Sequence, residues 1–187
     1  MRLFVGIPLA DGAARELAAV AARLRIDANA MQGGGLRWTA PDSWHITLQF
    51  LGNATGEQFE CLEARLGEVR AATAEVQLGE VGCFDRAGVL FVDVAVTTGL
   101  AALEKSVVTA TSQCGFAAEP RPFHPHITLA RAKGDGRRAG LRELLNRAHK
   151  VSGFQPFTAH EFLLYESHLD REGARYEVRA RFQLTIQ

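Results

Sequence analysis

The stretch Trp44-His45-Ile46-Thr47-Leu48-Gln49-Phe50-Leu51-Gly52 reads as a β-strand with one apolar and one polar face. In an extended chain the side chains of positions i and i+2 share a face, so His45 stands beside Thr47 while Ile46 and Leu48 point the other way. The same tetrapeptide, His45-Ile46-Thr47-Leu48, returns as His126-Ile127-Thr128-Leu129. An internal repeat of this kind predicts two strands of one design, each giving the core its apolar side and presenting one imidazole and one hydroxyl on the other. Set side by side, the two strands would enclose a small cavity with two imidazoles and two hydroxyls.

Around these strands the chain alternates strand-like and helix-like segments. Leu3 to Ile7 reads as a strand, and a helix opens at Asp11, a candidate N-cap, and runs through Leu17, Val20 and Leu24. Gly33-Gly34-Gly35 is a loop before a short strand at Leu36 to Thr39, and Pro41-Asp42-Ser43 turns the chain into the first motif. Thr55 caps a helix expected over 56–72. Strands at Val76 to Phe84 and Val89 to Val96 flank a turn, and a helix covers Gly99 to Gln113. The second motif strand, His126 to Arg131, precedes a basic helix from Arg137 to Lys150. Phe157 to His168 and Arg175 to Ile186 form a closing hairpin. Hairpins interleaved with helices predict an α+β fold with antiparallel sheets, not a doubly wound parallel one. With 187 residues and no low-complexity linker, residues 1–187 read as a single domain.

The 21 basic residues balance 21 acidic ones, so no global field draws the molecule to nucleic acid or membrane, and any anion must be held locally. Cys61, Cys83 and Cys114 are odd in number and widely spaced, which argues against a disulfide framework and against a zinc site. The opening Met1-Arg2-Leu3-Phe4 enters a strand without a basic-then-apolar leader, and no apolar run approaches a membrane span. The expectation is a cytoplasmic protein with no membrane partner, and a monomer.

Two imidazoles and two hydroxyls suit phosphodiester cleavage. The reaction needs a base for the attacking oxygen and an acid for the leaving oxygen, and imidazole, with an ordinary pKa of about 6.5, serves in either state. Hydroxyls of Thr47 and Thr128 can hold the non-bridging phosphate oxygens in line between the rings. No metal or other cofactor is called for.

The twin motifs, with the flanks Trp44 to Gly52 and His124-Pro125-His126-Ile127-Thr128-Leu129-Ala130-Arg131, resemble the double His-x-Thr signature of the two-histidine phosphoesterase superfamily. Within it they are most similar to the bacterial and archaeal RNA 2′,3′-cyclic phosphodiesterases, often called 2′-5′ RNA ligases. The opening Arg2-Leu3-Phe4-Val5-Gly6-Ile7 and the closing Leu164-Tyr165-Glu166-Ser167-His168-Leu169, with Gly173 and Tyr176, carry the likeness across nearly the whole chain. The resemblance implies two pseudo-symmetric lobes of antiparallel sheet with flanking helices around a central cleft. It also implies metal-free hydrolysis of RNA 2′,3′-cyclic phosphate ends, or of small nucleotides bearing that group, to 2′-phosphates. On this sequence His45 becomes the proton donor and His126 the acceptor. Two rivals stand beside that reading: a 2′-5′ RNA ligase using the same residues in reverse, and a nucleotide- or RNA-binding module without turnover.

Four further positions invite a role. Arg131 is five residues past His126, so on an ideal strand it faces away from the ring; the resemblance nevertheless implies that a cation here reaches substrate. Phe4 and Trp44 are candidate stacking surfaces for a base. His124-Pro125-His126 could offer two imidazoles to zinc, but no third ligand accompanies them. From Arg131 to Lys150 seven cations face two carboxylates, either a solvated helix face or a track for RNA backbone.

Overall fold

The computed structural model describes residues 1–31, 35–132, 138–147, 153–169 and 174–185. Along these run β1 (Arg2–Pro8), α1 (Asp11–Ala30), β2 (Leu36–Trp38), β3 (His45–Asn53), α2 (Gly56–Gly67), β4 (Ala74–Val76), β5 (Leu78–Phe84) and β6 (Val89–Val94). They are followed by α3 (Thr98–Ser112), β7 (His126–Ala132), α4 (Arg138–Arg147), β8 (Phe157–Ala159), β9 (Glu161–Leu169) and β10 (Ala174–Gln183). Thr55 starts α2 with a full capping box, its hydroxyl accepting from the Gln58 amide while the Gln58 side chain accepts from the Thr55 amide. Thr97 caps α3 more simply, its hydroxyl accepting from the Leu100 amide with no reciprocal bond from the leucine. Asp11 is not a cap: Ala10 holds that position, and Asp11 lies in the first turn, where its charge complements the helix dipole.

The fold is α+β with antiparallel sheets. One four-stranded sheet has the order β10-β9-β1-β3 and the other β2-β7-β6-β5, every neighbouring pair antiparallel. Each sheet contains one motif strand. β9 and β10 form the expected hairpin, whose turn lies outside the described residues, as do Gly33 and Gly34 of the glycine loop and the ends of the basic segment. Two stretches that read as continuous strands, Val76 to Phe84 and Phe157 to His168, are broken instead, at Gln77 and His160. Ala74–Val76 and Phe157–Ala159 leave the main sheets and pair with each other in a two-stranded ribbon.

Alternation sorts the side chains of the first sheet. Leu3, Val5 and Ile7 of β1, Ile46 and Leu48 of β3, and Phe162 and Leu164 of β9 enter the main core with Leu17, Leu24, Leu62, Leu100 and Leu103 from the helices. Phe4, Leu163 and Tyr165 point to the opposite face and form a second cluster with Tyr176. Each large apolar side chain so buried contributes about 1.5–3 kcal/mol before entropy is counted. In the second sheet, Leu90, Val92, Ile127 and Leu129 take the core side.

One expectation about cysteine is corrected. Cys61 of α2 and Cys114, just past α3, form a disulfide with Cα atoms 5.8 Å apart, while Cys83 is free. A separation of 53 residues concealed the pairing because α2 and α3 pack against each other. Among the described residues no helix is long and apolar enough to cross a membrane.

Candidate active site

The two motif strands approach each other between the sheets, and His45, Thr47, His126 and Thr128 all line one cleft of about 480 Å³. Both rings are fixed alike. His45 Nδ1 lies 2.8 Å from the Ser43 carbonyl and His126 Nδ1 lies 2.8 Å from the His124 carbonyl, each two residues upstream. A carbonyl only accepts, so Nδ1 carries the hydrogen in both rings and Nε2 is left for chemistry.

Each ring is also caged by aromatics. The His45 centroid is 4.6 Å from Phe4 and 4.9 Å from Tyr176, with Tyr165 stacked behind Phe4 at 4.8 Å. His126 packs against Phe84 at 5.1 Å and Phe91 at 5.3 Å. Gly6 makes room for the first arrangement: a Cβ there would lie 2.8 Å from the Ile46 carbonyl oxygen and 3.6 Å from the His45 ring. The cages carry an electrostatic consequence. Burial lowers the His45 pKa to about 4, the Ser43 carbonyl pulling upward and the charges of His126 and Arg131 pushing further down. His126 is lowered too, chiefly by burial, against an upward pull from the His124 carbonyl. At neutral pH both imidazoles of the free protein are therefore neutral.

The repeat extends beyond the tetrapeptide into a shared irregularity. Along β3, Thr47 pairs with Gly6 and Gln49 with Val5, leaving Leu48 without an opposite residue; along β7, Thr128 pairs with Phe91 and Ala130 with Leu90, leaving Leu129 without one. Each strand thus has a β-bulge three residues after its histidine, and a bulge shifts the phase of every side chain beyond it. Leu48-Gln49 and Leu129-Ala130 are consecutive buried residues, and Phe50 and Arg131 emerge on the histidine face. The ideal-strand argument that turned Arg131 away from the site is overturned by this extra residue. Phe50, 63% exposed at the cleft, stands where the second strand has Arg131, and sequence reading passed over it.

Other expected contacts fare differently. Trp44 is 6% exposed and belongs to the main core, so it offers no stacking surface. Phe4 lines the cleft floor but is 3% exposed beneath His45, which makes it a support for the ring instead of a platform for a base. His124 sits outside the cleft lining, with Nε2 2.9 Å from Asp93, and contributes its carbonyl. Among the described residues no three His, Cys, Asp or Glu side chains gather as metal ligands. In the basic segment, Arg142 of α4 is paired with Asp85, which favours the solvated-face account for that residue. Lys133, Arg137 and Lys150 lie outside the described residues.

The cleft lining includes Arg2, Arg121 and Arg131 and, among the described residues, no carboxylate. Arg121 is engaged by Glu119 through two bonds of 2.9 and 3.0 Å. Two imidazoles whose Nε2 atoms have no hydrogen-bond partner among the described residues, flanking hydroxyls and guanidinium groups form a cleft suited to an anion and to proton transfer on both sides of it, as a phosphoesterase requires. Comparison with known proteins agrees with that class. The chain belongs to the 2′-5′ RNA ligase superfamily, whose family model matches residues 10–171. An RNA 2′,3′-cyclic phosphodiesterase of Bacillus subtilis (strain 168) is 30% identical over 187 residues, spanning 97% of this chain and 96% of the relative. One of Aeropyrum pernix is 32% identical over 160 residues, spanning 83% and 90%. The crystal structure of E. coli LigT complexed with 3′-AMP superposes with a TM-score of 0.72 at 28% identity, covering 98% of each chain.

Proposed function

We propose that the protein hydrolyses 2′,3′-cyclic phosphates at RNA ends to 2′-phosphates without metal. The observation that carries this reading is the pair of equivalently held imidazoles, each with Nδ1 committed to a carbonyl and Nε2 free on one cleft. Family membership and two relatives that are RNA 2′,3′-cyclic phosphodiesterases support the substrate class, and the related LigT forms a complex with a mononucleotide, 3′-AMP. His126 Nε2 takes a proton from water as its oxygen bonds to phosphorus. The bond from phosphorus to O3′ breaks, and His45 Nε2 gives that oxygen its proton. Thr47 and Thr128 donate to the non-bridging oxygens, and Arg131 balances the charge that accumulates there. The two rings end with exchanged protonation states, which solvent resets.

Phe50 supplies the asymmetry the reaction needs. The equivalent positions after the two bulges hold a guanidinium in one lobe and an exposed ring in the other, so the phosphate is drawn toward Arg131 and the nucleoside base toward Phe50. Stacking on one base is worth about 1–3 kcal/mol, so Phe50→Ala is expected to raise KM about 5- to 150-fold with little change in kcat. Steady-state kinetics with a cyclic-phosphate-ended oligonucleotide measures this; an unchanged KM would remove Phe50 from the site.

The pH dependence follows from the caged rings. His45 must carry a proton to act as the acid, yet in the free protein it gives that proton up above about pH 4. The anionic phosphate favours imidazolium and raises both rings when it binds. The optimum of kcat/KM, which reports the free enzyme, is therefore expected below pH 6.5, and the alkaline limb of kcat at higher pH than that of kcat/KM. Coincident alkaline limbs would contradict this.

The direct test of the proposed activity is product analysis. An oligoribonucleotide ending in a 2′,3′-cyclic phosphate should yield only a 2′-phosphate end. A 3′-phosphate would show that the sugar lies the other way round, and no product would remove the activity.

A further inference from the structure

Gln49 is an anomaly in its surroundings, an amide 4% exposed among apolar side chains, four residues beyond His45 on β3. Burying an amide costs free energy unless both its ends are bonded, and both are. Its Oε1 accepts from Thr111 Oγ1 of α3 at 2.7 Å, and its Nε2 donates to the Ala117 carbonyl at 3.2 Å. Thr111 is itself fully buried. The bulge does not require this amide, because the equivalent place in the second motif, four residues past His126, is held by the buried methyl of Ala130.

What the amide reaches is the segment that delivers the second histidine. Residues 113–125 run from the end of α3 to the start of β7, past Arg121 at the cleft and His124, whose carbonyl holds His126 Nδ1. The beginning of that segment is tied to α2 by the Cys61–Cys114 disulfide and by Gln58 Nε2 donating to the Cys114 carbonyl at 3.3 Å. Gln49 adds a tie of a different kind, from the strand of one histidine to the approach of the other. We infer that Gln49 is a positioning residue that fixes the spacing between His45 and His126 by bonding β3 to the segment leading into β7. This inference rests on the proposed two-histidine reaction for its kinetic consequence, but not for its structural one.

An in-line transfer tolerates little error in the placement of acid and base; a misplacement near 1 Å costs on the order of 10²-fold in rate. Gln49→Met keeps the volume and loses both bonds. It is expected to lower kcat about 10- to 100-fold with KM changed less than about 3-fold. Thr111→Val, which frees one end of the amide, should cause a smaller loss of kcat, and Thr111→Ser, which keeps the hydroxyl, should restore it. Independently of any substrate, NMR of the two histidine rings with inorganic phosphate as the probe should show both responding with one dissociation constant in the wild type. In Gln49→Met the response of one ring should weaken. A folded Gln49→Met protein with wild-type kcat and an unaltered phosphate response of both rings would overturn the inference; if that variant does not fold, Thr111→Val against Thr111→Ser decides by the same readouts. Absence of cyclic-phosphate turnover in the wild type would remove the proposed function and leave the phosphate response to judge Gln49.

Discussion

Replacing His45 or His126 with Ala is expected to lower kcat for a cyclic-phosphate-ended oligonucleotide by about 10²- to 10⁴-fold each, the scale of a lost general acid or base. Neither change should unfold the protein. Each ring stands on the cleft face of its strand, and the core residues Ile46 and Ile127 next to them are untouched. The two variants should differ in their pH response. Without His126 the protein loses its base, so kcat should rise with pH as hydroxide takes over and level off where His45, the remaining acid, gives up its proton. Without His45 it loses its acid, and a substrate whose leaving oxygen needs no proton should recover much of the rate. A variant of either histidine with near-wild-type kcat would refute the role assigned to it. Exchange of these two behaviours would reverse the acid and base roles while keeping the pair.

Arg131→Ala is expected to cost about 10²-fold in kcat, comparable to the loss of one preorganised donor at a developing charge. Arg131→Lys should recover part of it, because the charge returns without the planar fork. A second readout is specific to this residue. The guanidinium pushes the pKa of both histidines down, so its removal should move the alkaline limb of kcat/KM to higher pH. Steady-state kinetics across pH checks both effects. An Arg131→Ala protein with unchanged kcat and an unmoved limb would mean that the bulge delivers Arg131 to the cleft rim without electrostatic effect on the reaction.

The histidine–threonine pairs were legible in the sequence because they obey the simplest rule of extended chain, period two, and because the rule is stated twice. Phe50 and the true aim of Arg131 were not, since each depends on one unpaired residue, Leu48 or Leu129, that breaks the period. A faint signal exists in the second motif, where Leu129-Ala130 places two apolar residues in succession after strict alternation. The first has none, because Gln49 is polar and buried. Phe4 and Trp44 illustrate the converse difficulty. An aromatic near a motif can face the cleft, support a catalytic ring or fill the core, and neighbouring strands decide which. For Phe4 the deciding strand is β9, brought beside β1 from the far end of the chain. The α+β class was readable from hairpins and helices, but the splitting off of β4 and β8 was not, because single residues, Gln77 and His160, separate them from β5 and β9 and neither is a turn former.

The cysteine pair and Gln49 belong to the same lesson. Residues 61 and 114 meet only because α2 and α3 pack together, and the reach of Gln49 to Ala117 appears only once β3 and the segment after α3 are placed. Both features gather at the junction between the two motifs. The sequence repeat describes each half-site, while tertiary contacts bring the halves into one.

The central claim is that two imidazoles carry all the proton transfer. Its most direct test is the turnover rate of purified protein on a cyclic-phosphate-ended oligoribonucleotide in excess EDTA. The proposed chemistry predicts the same rate as without chelator. Loss of turnover on chelation, restored by adding a divalent metal, would contradict it.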